Sequence, residues 1–326
     1  ASKLLGFNSS GALAVSAPAD GSASALALSL ASAASPSEGD GMLGVQQTKT
    51  GAVATTQHAV NERDAHSMHF MTASQIGDVV SSAGAYDLTA ALQAGIDAWD
   101  TLDLYPGLHK ISGQLNLKTS TRLIGSNISK TIIRGTHAGT LLYAPVNNRG
   151  IAIRDIFFQG AGCSAIKADE VTASSLQGYL NHAHVHHCDF GYELDYGINA
   201  MMLLGLIDGQ STFGYTGNGS INPAGFVAVR SVAVAGNDVN ANMIRDTVIN
   251  NAGGAGGKYA IEVYGGQSFT FDHVDFEGCG RVAKFEQMSL VSFVNGCWME
   301  RNGLTAPNVP TSTSHIILVD GSFDPI

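Results

Sequence analysis

The stretch Phe271-Asp-His-Val-Asp-Phe276 decides the fold, because its pattern occurs four more times in this chain. The other copies are Ile153-Arg-Asp-Ile-Phe-Phe158, Val185-His-His-Cys-Asp-Phe190, Ile244-Arg-Asp-Thr-Val-Ile249 and Phe293-Val-Asn-Gly-Cys-Trp298. The first position is always apolar, and the sixth is an aromatic residue or Ile. A second repeat lies about ten residues upstream, where Ile261-Glu-Val263 aligns with Ala283-Lys-Phe285 and with Ile317-Leu-Val319.

A repeat of roughly 22–30 residues that carries several short strands is typical of a solenoid. Parallel strands stack about 4.8 Å apart, so equivalent positions form inward columns of apolar side chains. The sequence therefore predicts an all-β fold, a right-handed parallel β-helix, with Phe158, Phe190, Phe276 and Trp298 in its core. The wide gap between Val185 and Ile244 predicts one further turn, near residues 226–234.

The composition agrees with this fold. The chain of 326 residues contains 39 Gly and only 13% charged residues, against roughly 7% Gly and roughly 25% charged residues in average proteins. A hydrophobic content of 44% excludes disorder. The net charge of −10 argues against binding to nucleic acid or insertion into an anionic membrane. The four cysteines form no CxxC pair, and we predict no metal and no cofactor.

One amphipathic helix precedes the strands. Leu88, Leu92, Ile96 and Trp99 form a single apolar stripe, and Asp87 is the expected N-cap. We expect this short helix to cap the open end of the β-helix.

The sequence divides into three predicted regions. Residues 1–60, which are rich in Ala, Ser and Gly, are expected to be an attachment segment, and residues 61–86 a linker or neck. Residues 87–326 are expected to be a β-helix that continues beyond Ile326.

The start of the β-helix resembles that of the pectate-lyase-like β-helices in tailspikes of tailed bacteriophages. The residues that carry this likeness are Asp87–Ala98, Leu102-Asp-Leu-Tyr-Pro-Gly107, Ile111–Leu117 and Leu123-Ile-Gly125. Upstream, Met42-Leu-Gly-Val-Gln46, Gly51–Gln57 and Val60–Arg63 resemble the linker that joins such β-helices to a virion-attachment segment. The chain departs from the family before the helix, where Ser81–Tyr86 replaces an acidic Gly-Asp-Gly stretch.

The resemblance implies a homotrimer on the phage tail, assembled in the host cytoplasm and active at the bacterial surface. Residues 1–60 would bind tail or baseplate proteins, and the β-helix would bind and hydrolyse a bacterial surface polysaccharide, capsule or O-antigen. Two alternatives stay open. The chain is a non-catalytic receptor-binding or anchoring part of a tail fibre, or it is a polysaccharide lyase that acts by β-elimination.

Two carboxylates on one strand are the expected catalytic pair. Asp275 and Glu277 flank the inward Phe276, so both face outward, ~6.5–7 Å apart along the strand. That separation is near the lower limit for an inverting glycosidase. Asp272 on the same rung and Glu300 on the next are the further candidates. The simpler interpretation is that these are exposed surface acids.

Substrate binding is expected from Arg245, His273, Tyr264 and Tyr192. Arg245 can hold an acidic sugar, although Arg245-Asp246 and Arg154-Asp155 also fit ion pairs along the ladder. Tyrosine rings stack on the apolar faces of sugars. His273 shares one ladder position with the residues of a polar corner column, which are Asp155, His187, Asp246 and Asn295.

Three histidines alternate along one predicted strand. His182, His184 and His186 would present their imidazoles on one face, where zinc or nickel could bind. A metal site needs a ligand from a second element, and the sequence identifies none. Surface histidines or contacts to sugars are therefore the favoured interpretation.

Overall fold

The computed structural model describes most of the chain from residue 65 onward. The described residues are 65–144, 149–168, 179–215, 225–233, 240–253 and 257–300, with shorter stretches at 4–7, 10, 13–16, 27, 29–30, 42–45, 55–56, 304–305, 309–310 and 317–320. The chain divides into two compact units, residues 1–65 and residues 66–326. Among the described residues, no helix has the length and apolar character that crossing a membrane requires.

Two antiparallel strand pairs lie in the described part of the first unit. In one, β1 (Leu4–Phe7) pairs with β2 (Leu13–Ser16). In the other, β3 (Gly44–Val45) pairs with β4 (Thr55–Thr56).

The second unit contains eight rungs of short parallel strands among the described residues, each rung built from strands on three faces. The first three rungs are β5 (Thr101–Asp103), β6 (Gly107–Ile111) and β7 (Leu115–Asn116); β8 (Arg122–Ile124), β9 (Thr131–Gly135) and β10 (Gly139–Ala144); and β11 (Ala152–Arg154), β12 (Phe157–Gln159) and β13 (Cys163–Ala168). The next two are β15 (His184–His186), β16 (Asp189–Gly191) and β17 (Tyr196–Asn199); and β19 (Leu206–Asp208), β20 (Thr212–Tyr215) and β21 (Val227–Val232). Two further strands, β14 (Tyr179–Asn181) and β18 (Met201–Leu203), pair with each other in parallel.

The last three rungs contain three longer strands that pass from one face to the next, β22 (Asn242–Asn250), β23 (Ile261–Glu277) and β24 (Ala283–Val294). The remaining strands of these rungs are short, β25 (Trp298–Glu300) and β28 (Ile317–Asp320). Between β25 and β28, the strands β26 (Leu304–Thr305) and β27 (Val309–Pro310) form an antiparallel pair.

The strand register places equivalent residues in columns, one on each face. Face 1 has the column Leu102, Leu123, Ile153, Val185, Ile207, Ile244, Phe271 and Phe293. Face 2 has the column His109, Ile133, Phe158, Phe190, Phe213, Ile249, Phe276 and Met299. Face 3 has the column Leu115, Leu142, Ile166, Ile198, Val229, Ile261, Ala283 and Ile317. The parallel β-helix predicted from the repeats is thus confirmed.

The expected further turn between Val185 and Ile244 is present, and residues 227–232, at the predicted position, form its face 3 strand. Its first two strands, β19 and β20, lie upstream of that position. The repeat is hard to see because one more residue separates Ile207 from Phe213 than separates Val185 from Phe190.

Stacked aromatic rings fill the centre of face 2. The ring centroids of Phe158 and Phe190 are 5.3 Å apart. Those of Phe190 and Phe213 are 4.3 Å apart with an interplanar angle of 3°. All three side chains are fully buried, and aromatic pairs add about 0.5–1.5 kcal/mol beyond the burial of their area.

Two α-helices lead into the first rung, α1 (Ala73–Ser81) and α2 (Thr89–Ala98), after a 3-10 helix at Ser67–Phe70. Leu88, Leu92 and Ile96 are buried as the apolar stripe predicts, and α2 packs against β5 and β7. The helix begins one residue later than expected, with Leu88 as its N-cap. The Asp87 carboxylate nevertheless accepts a hydrogen bond from the Thr89 N–H, at 3.1 Å.

The corner between faces 1 and 2 is a column of left-handed residues. Asp155, His187, Asp246, His273 and Asn295 all have φ between 47° and 59°, as the shared ladder position predicts. Asn, Asp and His are the non-glycine residues that adopt this conformation most readily. Their side chains pair along the column, with Nδ1 of His187 2.6 Å from Oδ1 of Asp155.

The thiols have no structural cross-linking role. All four cysteines are free, and Cys163, Cys188 and Cys279 are buried. Burial raises the pKa of both Cys188 and Cys279 to about 12, so neither is a reactive thiolate at neutral pH.

His109 is the polar exception in the face 2 column. It has no exposed surface, and burial lowers the pKa of its imidazole from 6.5 to about 4. Because the unfolded chain binds this proton more readily than the folded one, stability falls as the pH drops from about 6.5 towards about 4.

We predict that His109→Phe reduces the acid sensitivity of folding. In the natural chain, this one group should remove about 2 kcal/mol of unfolding free energy between pH 7 and pH 5. Urea unfolding followed by circular dichroism at the two pH values measures the difference. The exposed His69→Phe variant is the control, and an unchanged pH dependence in His109→Phe would exclude this role.

Candidate functional site

The expected carboxylate pair lies at the end of β23, on face 2. Asp275 and Glu277 are half-buried on the outer surface, and Phe276 between them is fully buried. In the strand register, Asp275 lies between Val248 and Trp298, and Glu277 lies opposite Glu300 on the next rung. Three of the four predicted acids therefore lie on face 2 of two neighbouring rungs.

Asp275 has the most perturbed environment of these acids. Its Oδ1 atom is buried and has no hydrogen-bond partner among the described residues. Burial raises the pKa of Asp275 above that of an ordinary aspartate, and the charges of Glu277 and Glu300 raise it further. The carboxyl group therefore keeps its proton to a higher pH, as a general acid requires.

Asp275 lies in a groove of about 890 Å³, named here the Asp275 groove. Its lining comes from the last four rungs and includes Gln210, Thr212, Asp246, His273, Asp275 and Trp298. It thus contains two carboxylates, an imidazole and an indole beside one another. Of the eight predicted site residues, only Asp275 and His273 line this groove.

His273 is oriented by a carboxylate. Its Nδ1 atom is 2.9 Å from Oδ1 of Asp246, and its side chain is 69% exposed. The carboxylate fixes one ring nitrogen, which leaves Nε2 for a hydrogen bond to a ligand in the groove. Because both residues belong to the corner column, their left-handed backbone places them at the edge of the groove.

Trp298 was predicted to lie in the core, and this prediction was wrong. The indole is 62% exposed. The last rung contains one extra residue, because the segment from Phe293 to Met299 is one residue longer than the segment from Phe271 to Phe276. Met299 therefore lies opposite Phe276, and Trp298 lies opposite Asp275. The shift moves Trp298 to the outer surface, where its ring lines the groove.

Asp272 and Arg245 lie before the corner, on face 1, and do not line the groove. The two are opposite one another in the register. Asp272 Oδ1 accepts a hydrogen bond from Nδ2 of Asn295, at 2.6 Å. Arg245 bonds to Asp208 at 2.9 Å and lies 3.5 Å from Asp246, in keeping with the ion pairs considered for the Arg-Asp dipeptides.

The two predicted tyrosines are also outside the groove. Tyr264 lies on face 3, where the Lys284 ammonium is 5.3 Å from the centre of its ring. Burial raises the pKa of Tyr264, and Glu262 raises it further. Tyr192 is half-buried in the turn between β16 and β17.

The three alternating histidines line a second groove on face 1, of about 480 Å³, named here the histidine groove. His184 and His186 share the outer side of β15, whereas His182 precedes the strand at a left-handed corner with φ 54°. A second element supplies an acidic side chain here that the sequence did not identify. Asp208 of β19 lies against both His184 and His186, at 2.8 and 2.7 Å.

No protein-family model and no curated protein sequence matches this chain. Among solved structures, it is similar to the tailspike protein of the Acinetobacter phage vB_ApiP_P1, with a TM-score of 0.56 and 19% identity. That alignment covers 74% of this chain and 44% of the tailspike, so the chain spans less than half of that protein's length. The likeness shows that this chain has the fold of a phage tailspike β-helix.

Two weaker similarities are of the same kind. The enzymatically active domain of tailspike protein 2 from bacteriophage CBA120 aligns with a TM-score of 0.43 and 13% identity, over 86% of this chain and 45% of that one. A mutant tailspike of E. coli bacteriophage HK620, in complex with a pentasaccharide, aligns with a TM-score of 0.42 and 13% identity, over 92% and 72%.

Proposed function

We propose that this chain is part of a phage tailspike whose β-helix binds and hydrolyses a bacterial surface polysaccharide in the Asp275 groove. The observation that carries the proposal is a half-buried carboxyl with a raised pKa beside an exposed indole in one groove. A carboxylic acid that keeps its proton and an aromatic surface for sugar rings are two requirements of glycoside hydrolysis. The tailspike fold supports the same assignment.

In the proposed reaction, Asp275 donates its proton to the glycosidic oxygen as the C–O bond breaks. A second carboxylate takes a proton from the water that attacks the anomeric carbon. Two residues are candidates for this role. Glu277 was predicted from the sequence and lies two residues along the strand from Asp275, and Asp246 lines the groove together with Asp275. His273 would hydrogen-bond the sugar through Nε2, and Trp298 would stack on an apolar sugar face.

We predict that Asp275→Asn in the full-length protein lowers depolymerisation of host polysaccharide by about 10²–10⁴-fold, because the amide cannot donate the proton. In the natural protein, activity should fall as the pH rises through the raised pKa of Asp275. New reducing ends, measured across a pH series, give both results. Glu277→Gln and Asp246→Asn, compared in the same assay, identify the second carboxylate.

The exposed Asp97→Asn of α2 is the matched control and should retain full activity. Undiminished activity in Asp275→Asn would exclude the assignment. A product with an unsaturated, ultraviolet-absorbing sugar would instead establish a lyase. Polysaccharide binding without any product would establish a receptor-binding protein.

We predict that Trp298→Ala weakens polysaccharide binding by about 5–150-fold, the equivalent of about 1–3 kcal/mol of lost stacking. The effect should fall mainly on KM, since the indole contacts the sugar and not the reacting bond. Trp298→Phe should recover part of the affinity, and Tyr86→Ala, at an exposed aromatic residue before the first rung, should have no effect. Equal affinity in Trp298→Ala and the natural protein would argue against a sugar-binding role.

We further propose that the full-length protein is a homotrimer in the virion tail, attached to tail or baseplate proteins through residues 1–60. Few charges are needed on outer faces that neighbouring subunits cover, in agreement with the 13% charged residues. Light scattering of the full-length protein should give three times the monomer mass. A monomer mass would contradict the trimer without affecting the assignment of the groove.

A further inference from the structure

Three potential metal ligands converge on face 1 between the fourth and fifth rungs. His184 Nε2 is 2.8 Å and His186 Nδ1 is 2.7 Å from the same oxygen, Oδ1 of Asp208. All three donor atoms lie within 4.8 Å of one another. Because Val185 faces inward, both imidazoles face outward, and the register places Asp208 directly opposite His186 on the next strand.

The carboxylate of Asp208 is held in a fixed position. Its side chain is only 8% exposed, and its second oxygen, Oδ2, accepts a hydrogen bond from Arg245 at 2.9 Å. The guanidinium on the sixth rung therefore leaves Oδ1 to the two imidazoles. Outer hydrogen bonds of this kind orient the carboxylate ligands of metal sites.

The fourth side of the cluster is open. The side chains of His184 and His186 are 44% and 37% exposed, and both line the histidine groove together with His182, Arg122 and Arg154. Three protein ligands and one open position are the arrangement of sites that bind zinc together with an exchangeable ligand.

We propose that His184, His186 and Asp208 bind one divalent transition metal ion, zinc or nickel, with the open coordination position facing the histidine groove. Two nitrogen donors and one carboxylate oxygen match these ions, whereas calcium takes six to eight oxygen ligands. Tetrahedral coordination with bonds of about 2.0 Å needs donors about 3.3 Å apart, so small rotations of the imidazoles would admit the ion. The ion would link β15 to β19, which are strands of two successive rungs.

The competing arrangement is a metal-free cluster in which both imidazoles donate hydrogen bonds to Asp208. Titration with metal ions distinguishes the metal-binding site from the metal-free cluster. Tag-free protein, stripped with EDTA, is titrated with zinc chloride and with nickel chloride by isothermal calorimetry, and cobalt(II) is followed by its visible absorption. We expect one ion per chain and a cobalt spectrum of a low-coordinate nitrogen-oxygen site.

Three variants locate the site. His184→Gln and His186→Gln keep a side-chain amide that hydrogen-bonds Asp208, and each should weaken metal binding by at least about 10-fold. His182→Gln, in the same groove but outside the cluster, is the matched control and should bind as the natural chain does. Thermal unfolding of each variant without metal verifies that it folds.

Absence of stoichiometric binding by the folded natural chain would overturn the proposal, and so would equal affinity in His184→Gln and His182→Gln. The inference is independent of the assignment of Asp275. Polysaccharide depolymerisation can therefore fail while metal binding succeeds, and the reverse also holds.

Discussion

The hydrogen bonds between parallel rungs are the constraint on which the rest of this molecule depends. Each strand bonds to the equivalent strand of the rungs before and after it, about 4.8 Å away. A residue on one rung therefore lies directly beside its counterpart on the next. Inside the solenoid this produces continuous apolar columns, such as the stacked rings of Phe158, Phe190 and Phe213. Outside, it brings polar side chains from distant parts of the sequence into contact.

Both proposed sites depend on this stacking. The unusual environment of Asp275 comes partly from Glu300 on the neighbouring strand, and the histidines meet Asp208 only because the fifth rung lies beside the fourth. Stacking of like charges is costly, and the molecule offsets that cost in the corner column by alternating partners, as in His187 with Asp155 and His273 with Asp246. The site chemistry is thus a property of neighbouring rungs and of no single strand.

The sequence predicted the interior better than the surface. Apolar residues at fixed spacing define which side chains enter the core, so the columns containing Ile153, Phe190 and Phe276 were predictable. One inserted residue is enough to defeat that argument, because the side-chain direction of a strand has a period of two. Such an insertion between Ile207 and Phe213 concealed the rung that carries Asp208, and another after Phe293 moved Trp298 from the core to the groove. An alignment that allowed one gap per rung would have found both.

The left-handed corner has a consequence for how such a surface changes over time. At a position with φ near 50°, the backbone favours Gly, Asn, Asp or His, and Asp, His and Asn occupy the corner column. All but glycine carry donors or acceptors on short side chains, and they stand where the surface bends into a groove. A chain that only needs to turn at this corner therefore carries, on successive rungs, polar side chains that can bind hydroxyl groups or cations. New recognition can arise from exchanges within this small set, with no disturbance of the core.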